Sequence, residues 1–257
     1  MTKPYRTYAA AGALLQATLL LGACGGARDD RTIGNDGAAV SAATPAAQAS
    51  ARATATTQVS GPKRTVLAFG DSLYAGYGLK RGESLPDAVE EQLRAGGIDA
   101  KLVNAGVSGD TTAGGRRRLV YTLDKLDRAP DLVLLGLGGN DVLRQVDPAE
   151  TRANLSAMLD ELDRRHIPVV LTGMMAPPNL GPDFAARFNA IWPDLARKHH
   201  AVLDPFILDG VIGNRELMLA DGVHPNARGV AVIADRVAPL VEKRIRALPS
   251  SRSGGET

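Results

Sequence analysis

A chain of 257 residues, 44% hydrophobic and 4% aromatic, holds enough Leu, Val, Ile and Ala for one domain of ordinary size and is far from a disordered composition. Its 30 Lys and Arg stand against 28 Asp and Glu, and residues 63–248 balance 24 against 24, which argues against a nucleic-acid partner and a strongly anionic substrate. The single cysteine, Cys24, excludes an intramolecular disulfide and a multi-cysteine zinc site.

The chain opens with Lys3 and Arg6, then an apolar stretch from about Ala9 to Ala23. That pattern reads as a secretory signal over residues 1–23, too short for a comfortable membrane span. Leu21-Gly22-Ala23-Cys24 resembles a bacterial lipobox. The resemblance implies cleavage before Cys24, lipidation of its thiol and a tether on the periplasmic side of a bacterial envelope. Gly25, standing where an Asp marks inner-membrane retention, favours the outer membrane. An ordinary signal peptide with an incidental cysteine is the alternative. Residues 24–62, rich in Ala, Thr, Ser and Gly, have too little apolar surface to offset their ordering entropy and read as a disordered linker. Residues 249–257 read as a flexible tail.

Between them, short and nearly continuous apolar runs at Thr65–Phe69, Lys101–Val103, Leu132–Leu135, Val169–Thr172 and Ala201–Leu203 predict strands covered on both faces. Helical spacing falls between the runs. Leu85–Arg94 repeats Leu85, Val89 and Leu93, and Pro148–His166 carries Leu155, Leu159 and Leu162 behind an N-terminal proline. Phe184–His199 and Ala227–Ala247 are the remaining predicted helices. Alternation of this kind predicts an α/β fold over residues 63–248, a three-layer α/β/α sandwich around a five-stranded, mainly parallel sheet. Ligands bind such sheets where the strands end, and polar, glycine-rich clusters follow the first three strands, at 70–72, 104–112 and 136–141.

Acyl transfer needs a nucleophile, a base held in one tautomer, and donors for the oxyanion. Of the four histidines, His166, His199 and His200 read as exposed helix-end residues. His224 differs, because in Asp221-Gly222-Val223-His224-Pro225 an Asp three residues ahead is placed to fold back onto one imidazole nitrogen. No Gly-x-Ser-x-Gly elbow occurs. Ser72, directly after the first strand, serves equally well as a nucleophile or as a helix cap.

Four blocks in order across residues 64–245 resemble those of the SGNH (GDSL) hydrolases, and among them the periplasmic thioesterase, lysophospholipase and arylesterase group: Gly70-Asp71-Ser72-Leu73 onward to Tyr77, Asn104 to Thr112, Gly138-Gly139-Asn140-Asp141, and Asp221 to Pro225. The resemblance implies a flavodoxin-like sheet and an ester or thioester hydrolase that works through an acyl-enzyme. Ser72 is then the nucleophile, His224 its base and Asp221 the residue that orients the base. The oxyanion donors are the Ser72 N–H, the Gly109 N–H and the Asn140 amide. No metal or cofactor is required, the substrate is a small acyl ester or thioester, and a monomer is favoured.

Other residues read more plainly. Asp71, Asp110 and Asp141 are expected to tie their loops by accepting from backbone N–H groups. Arg116-Arg117-Arg118 reads as a solvated helix face. Met174 to Asn179 reads either as an acyl-pocket wall or as core, and Leu143-Arg144-Gln145 falls where family members carry a substrate loop. Two other functions keep the same residues. One is a carbohydrate O-acetylesterase, left open because no long apolar groove-lining segment is evident. The other is a non-catalytic envelope-tethered binding module, which a Ser–His gap of about 10 Å or more would favour.

Overall fold

The computed structural model describes residues 59–249. The expected signal peptide, Cys24 and nearly all of the expected linker and tail lie outside the described residues. Five strands, β1 (Ser60–Gly70), β2 (Ile98–Gly106), β3 (Leu132–Gly136), β4 (Val169–Thr172) and β5 (Val202–Asp204), form one sheet in the order β2-β1-β3-β4-β5. All four pairings are parallel. The helices between them are α1 (Ser72–Ala75), α2 (Leu85–Ala95), α3 (Thr112–Asp124), α4 (Gly139–Leu143), α5 (Pro148–Arg164), α6 (Pro182–Asn189), α7 (Ile191–Lys198) and α8 (Ala227–Arg246). On one face α2 packs against α8; on the other, α3 packs on α5 and α5 on α6 and α7, as right-handed crossovers require.

Burial explains why the central strands were visible in sequence. Leu132 to Leu135 are all fully buried, as are Val66 to Phe69, because helices cover both faces. β2 is an edge strand and alternates, with Ile98, Ala100 and Leu102 buried, so an apolar run marks only its middle. β1 starts earlier than expected. The Ser60 N–H donates to Gly97 O at 2.9 Å and Ser60 pairs with Ile98, which moves the start of the folded domain from 63 to 60.

Helix boundaries follow local chemistry. Ser84 caps α2 with Asp87 in a reciprocal capping box, and Asp147 caps α5 ahead of Pro148. The single helix expected over 184–199 is two. Pro193 has no N–H to give the carbonyl of Asn189 and its ring crowds that carbonyl, so the chain breaks at Ala190 and Pro193 sits in the first turn of α7. At the break the Asn189 side-chain oxygen accepts from Ala176 N at 2.8 Å and anchors the loop after β4. Phe184, Phe188 and Trp192 stack along the joint, with successive ring centroids 5.7 and 4.9 Å apart.

His199 also departs from expectation. It is buried rather than exposed, its Nδ1 2.6 Å from Asp163 Oδ2, while His166 and His200 are exposed at the ends of their helices.

Candidate active site

In this strand order the chain winds away from β1 in both directions, to β2 on one side and β3 on the other. The crevice at the carboxyl ends of β1 and β3 is therefore the expected ligand position. Three glycines keep the crevice floor low. A Cβ at Gly70 or Gly136 would lie 2.4 Å from the ring of Tyr74, and one at Gly106 would lie 2.3 Å from Ala75 N, so only glycine lets α1 sit directly on the strand ends. Tyr74 is fully buried there, its hydroxyl 2.9 Å from Thr172 Oγ1, and burial pushes the phenol well above its usual range.

Ser72 is the first residue of α1, separated from the end of β1 only by Asp71. Its Oγ lies 2.9 Å from His224 Nε2, and His224 Nδ1 lies 2.7 Å from Asp221 Oδ2. The other Asp221 oxygen accepts from the N–H groups of Val223 and His224 at 2.9 and 3.0 Å. These backbone donors, the His224 N–H foremost, together with the imidazole hold the carboxyl down at about 2. Asp221 is therefore a carboxylate at any pH near neutrality. A small hairpin fixes the loop: Leu219 N donates to His224 O at 2.8 Å, and Asn226 N to Leu217 O at 2.9 Å.

The residues expected to donate to an oxyanion lie on neighbouring loops. Asn140, in α4, gives one amide proton to Asp110 O at 3.0 Å and keeps the other. Asp110 N donates to Val107 O at 3.1 Å, closing a turn with Gly109 in its third position at φ +81°. A positive φ there is the mark of a type II turn, which reverses the central peptide and with it the Gly109 N–H. The Arg144 guanidinium donates to Gly109 O at 3.0 Å and holds that turn to the end of α4. The Ser72 N–H, in the first position of a helix, has no intrahelical acceptor.

Asp141 and Asp71 behave as read from sequence. Asp141 is buried and accepts from Thr112 N at 2.9 Å, and also from the Thr112 hydroxyl. Asp71 accepts from Leu73 N at 3.1 Å, capping α1. Asp110 does not: its carboxylate takes Arg118 Nε at 2.7 Å. The reading of Arg116 to Arg118 as a solvated face is overturned at its last member. Arg118 also donates to Ala105 O and Gly70 O, both at 2.9 Å, with its guanidinium 3.8 Å over the Phe69 ring.

Asp71 sits buried next to Ser72. Burial raises its carboxyl from 3.8 to about 6, with the charges of Asp110 and Asp141 adding to the rise and the Leu73 N–H and His224 opposing it. Below the unfolded value the carboxyl is protonated in both states. Between the two values the folded protein keeps a proton that the unfolded chain gives up, so stability from this group is lost as pH rises through about 6. At 1.36 kcal/mol per unit the loss is on the order of 2–3 kcal/mol. Asp71→Asn keeps the cap and removes the charge. Urea unfolding at pH 4 and pH 7 is expected to show the variant gaining on the wild type by that amount, and a pH-independent difference would rule it out.

Beside Ser72 and His224 opens a cavity of about 550 Å³. Its walls come from four separate segments: Val142 and Leu143 after β3, Met174 to Pro178 after β4, Phe206, Leu208 and Ile212 after β5, and Val223 beside the base. Met174 serves both as core and as wall, being 8% exposed, whereas Met175 is about half exposed at the rim. Sequence reading overlooked the 206–212 wall, whose one signal is the apolar run Phe206-Ile207-Leu208 directly after a strand.

A hydroxyl, an imidazole and a carboxylate in line at the carboxyl edge of a parallel sheet define a hydrolase of the serine type. Residues 68–232 match the model of the GDSL-like Lipase/Acylhydrolase family, and the chain belongs to that family. Esterase TesA of Pseudomonas aeruginosa is 36% identical over 179 residues, covering 70% of this chain and 88% of the relative. An arylesterase of Vibrio mimicus is 38% identical over 180 residues, covering 70% and 89%. Among solved structures, AlinE4, an SGNH-hydrolase family esterase, matches with a TM-score of 0.62 at 50% identity, covering 74% of this chain and 99% of its own. The chain is an ester-hydrolysing serine hydrolase.

Proposed function

We propose that this protein hydrolyses short- to medium-chain acyl esters and thioesters, with Ser72 as nucleophile, His224 as general base and Asp221 as its orienting carboxylate. The observation that carries the reading is the line of contacts at 2.9 and 2.7 Å from Ser72 through His224 to Asp221, set at the mouth of an apolar cavity. Ser72 Oγ attacks the acyl carbon as His224 Nε2 takes its proton. The carbonyl oxygen, now negative, lies among the Ser72 N–H, the Gly109 N–H and the free amide proton of Asn140. His224 gives its proton to the departing alcohol or thiol, leaving Ser72 acylated. Water then repeats the sequence and restores the hydroxyl.

The cavity favours an acyl chain over an acetylated sugar, since its walls offer apolar contact and few polar partners for hydroxyl groups. The Ser–His separation of 2.9 Å supports the catalytic reading over a non-catalytic module, which a gap of about 10 Å or more would have favoured. The test is a series of p-nitrophenyl esters alongside acetylated sugars. At about 0.8 kcal/mol per buried methylene, kcat/KM is expected to rise roughly three- to fourfold per added carbon until the cavity fills. Faster turnover of acetylated sugars than of any acyl ester would overturn this assignment.

The residues around Cys24 support a lipid tether to the periplasmic side of the envelope. Metabolic labelling with a radiolabelled fatty acid, lost in Cys24→Ser, is the expected result, and retained label would exclude this cysteine as the site.

A further inference from the structure

The imidazole of His224 is held at both edges, by Asp221 on Nδ1 and Ser72 on Nε2. One of its faces is covered by Tyr77, with ring centroids 4.4 Å apart and planes 35° from parallel. Tyr77 is 51% exposed, so this ring does not serve the hydrophobic core. Nor does it belong to the wall of the acyl cavity.

The backbone around Tyr77 is tied to the triad from both sides. Its N–H donates to the carbonyl of Ser72 at 3.1 Å. Gly76 and Gly78 on either side have φ of +80° and +71°, conformations that only glycine adopts without strain. A Cβ on Gly78 would lie 2.6 Å from Leu219, whose N–H holds the carbonyl of His224. The loop that carries Tyr77 therefore touches both the nucleophile's residue and the base's hairpin, and it delivers an exposed aromatic ring to the base.

We propose that Tyr77 is a positioning residue for the base: its ring stops the His224 imidazole from turning away from Ser72 and stabilises the positive charge the imidazole carries once it has taken the serine proton. The π face of an aromatic ring attracts a cation more than a neutral ring. That charge exists in the transition state and not in the bound ground state, so the contact acts on kcat rather than on KM. The inference rests on the esterase reading given above.

The test uses Tyr77→Leu, Tyr77→Ala and Tyr77→Phe in the full chain with p-nitrophenyl butyrate, beside wild type and Ser72→Ala. Loss of the ring is expected to lower kcat by about 3- to 30-fold at unchanged KM. The rate of Ser72 labelling by a fluorophosphonate is expected to fall in parallel, with unchanged thermal melts. Tyr77→Phe, which keeps the ring, is expected to recover the rate to within about twofold. A rise in KM at constant kcat would assign Tyr77 to substrate binding and overturn the proposal. Equal loss in the Phe variant would assign the effect to the hydroxyl, and a lowered melt in step with the rate would assign it to folding; either overturns it. Wild-type turnover no greater than that of Ser72→Ala would instead defeat the esterase reading itself.

Discussion

Ser72→Ala is expected to lower kcat/KM for a short acyl ester by about 10⁴–10⁶-fold while leaving the thermal unfolding midpoint unchanged. The hydroxyl makes its hydrogen bond to His224 and caps nothing, because Asp71 is the residue that caps α1. Nothing in the fold depends on it, so loss of rate without loss of stability is the signature of a nucleophile. On the proposed mechanism His224→Ala is expected to cost a similar factor, and the double variant no more than either single change, since a nucleophile and its base act as one unit. Asp221→Asn is the subtler case. The amide oxygen still accepts from the Val223 and His224 N–H groups, but an amide facing Nδ1 donates where the carboxylate accepted. The imidazole is then driven to carry its proton on Nε2, facing Ser72, where it cannot take another. A loss of about 10³–10⁴-fold in kcat is expected. Steady-state kinetics with melting curves on the same preparations measures both quantities, and a Ser72→Ala protein with more than about a hundredth of wild-type kcat/KM would remove the serine from the mechanism.

Arg118 carries the largest expected stability effect outside the core. One guanidinium pairs with Asp110, holds the last carbonyl of β1 and a carbonyl near the end of β2, and covers the Phe69 ring. Both partners of the ion pair are largely buried, with side-chain exposures of 21% and 11%. Removing the cation leaves a buried carboxylate without its partner and takes one donor from each of two carbonyls, of which Gly70 O keeps the Val107 N–H at 3.0 Å; losing one side of such a pair is the costly way to break it. Arg118→Ala is expected to destabilise the protein by about 2–4 kcal/mol in urea unfolding, lowering the midpoint by roughly 5–15 °C. Arg118→Lys, a point charge with no planar fork, is expected to recover less than half of that. Activity is expected to fall too, because the strand ends it clasps lead into Ser72 and Gly109. A change under about 0.5 kcal/mol would mean that solvent replaces these contacts.

How much of this was legible in the sequence depended on the distance over which each feature is encoded. Central strands are local: Leu132 to Leu135 and Val169 to Thr172 show as apolar runs because helices cover both faces. Caps are local as well, as with Ser84 and Asp147. The break before α7 was also written locally, in Pro193, but a strong apolar period across 184–199 masked it. α1 and α4, of four and five residues, are too short for any period to register. The function of Arg118 is not local at all, since its acceptors lie 8, 13 and 48 residues away in sequence. The same holds for the acyl cavity, whose four walls have no common motif and meet only through the sheet.

The course of the chain has a practical consequence for handling this enzyme. β1 rises from Ser60 to the catalytic edge at Gly70, a span of about 35 Å. α8 starts three residues beyond His224, and past its end the Arg64 guanidinium holds Pro249 O. The folded domain thus begins and finishes at one pole, and Ser72 lies at the other. A bead, electrode or fusion partner joined directly at residue 59 or residue 249 meets the foot of the described domain and leaves the mouth beside Ser72 facing the medium, so immobilisation there need not obstruct access of substrate.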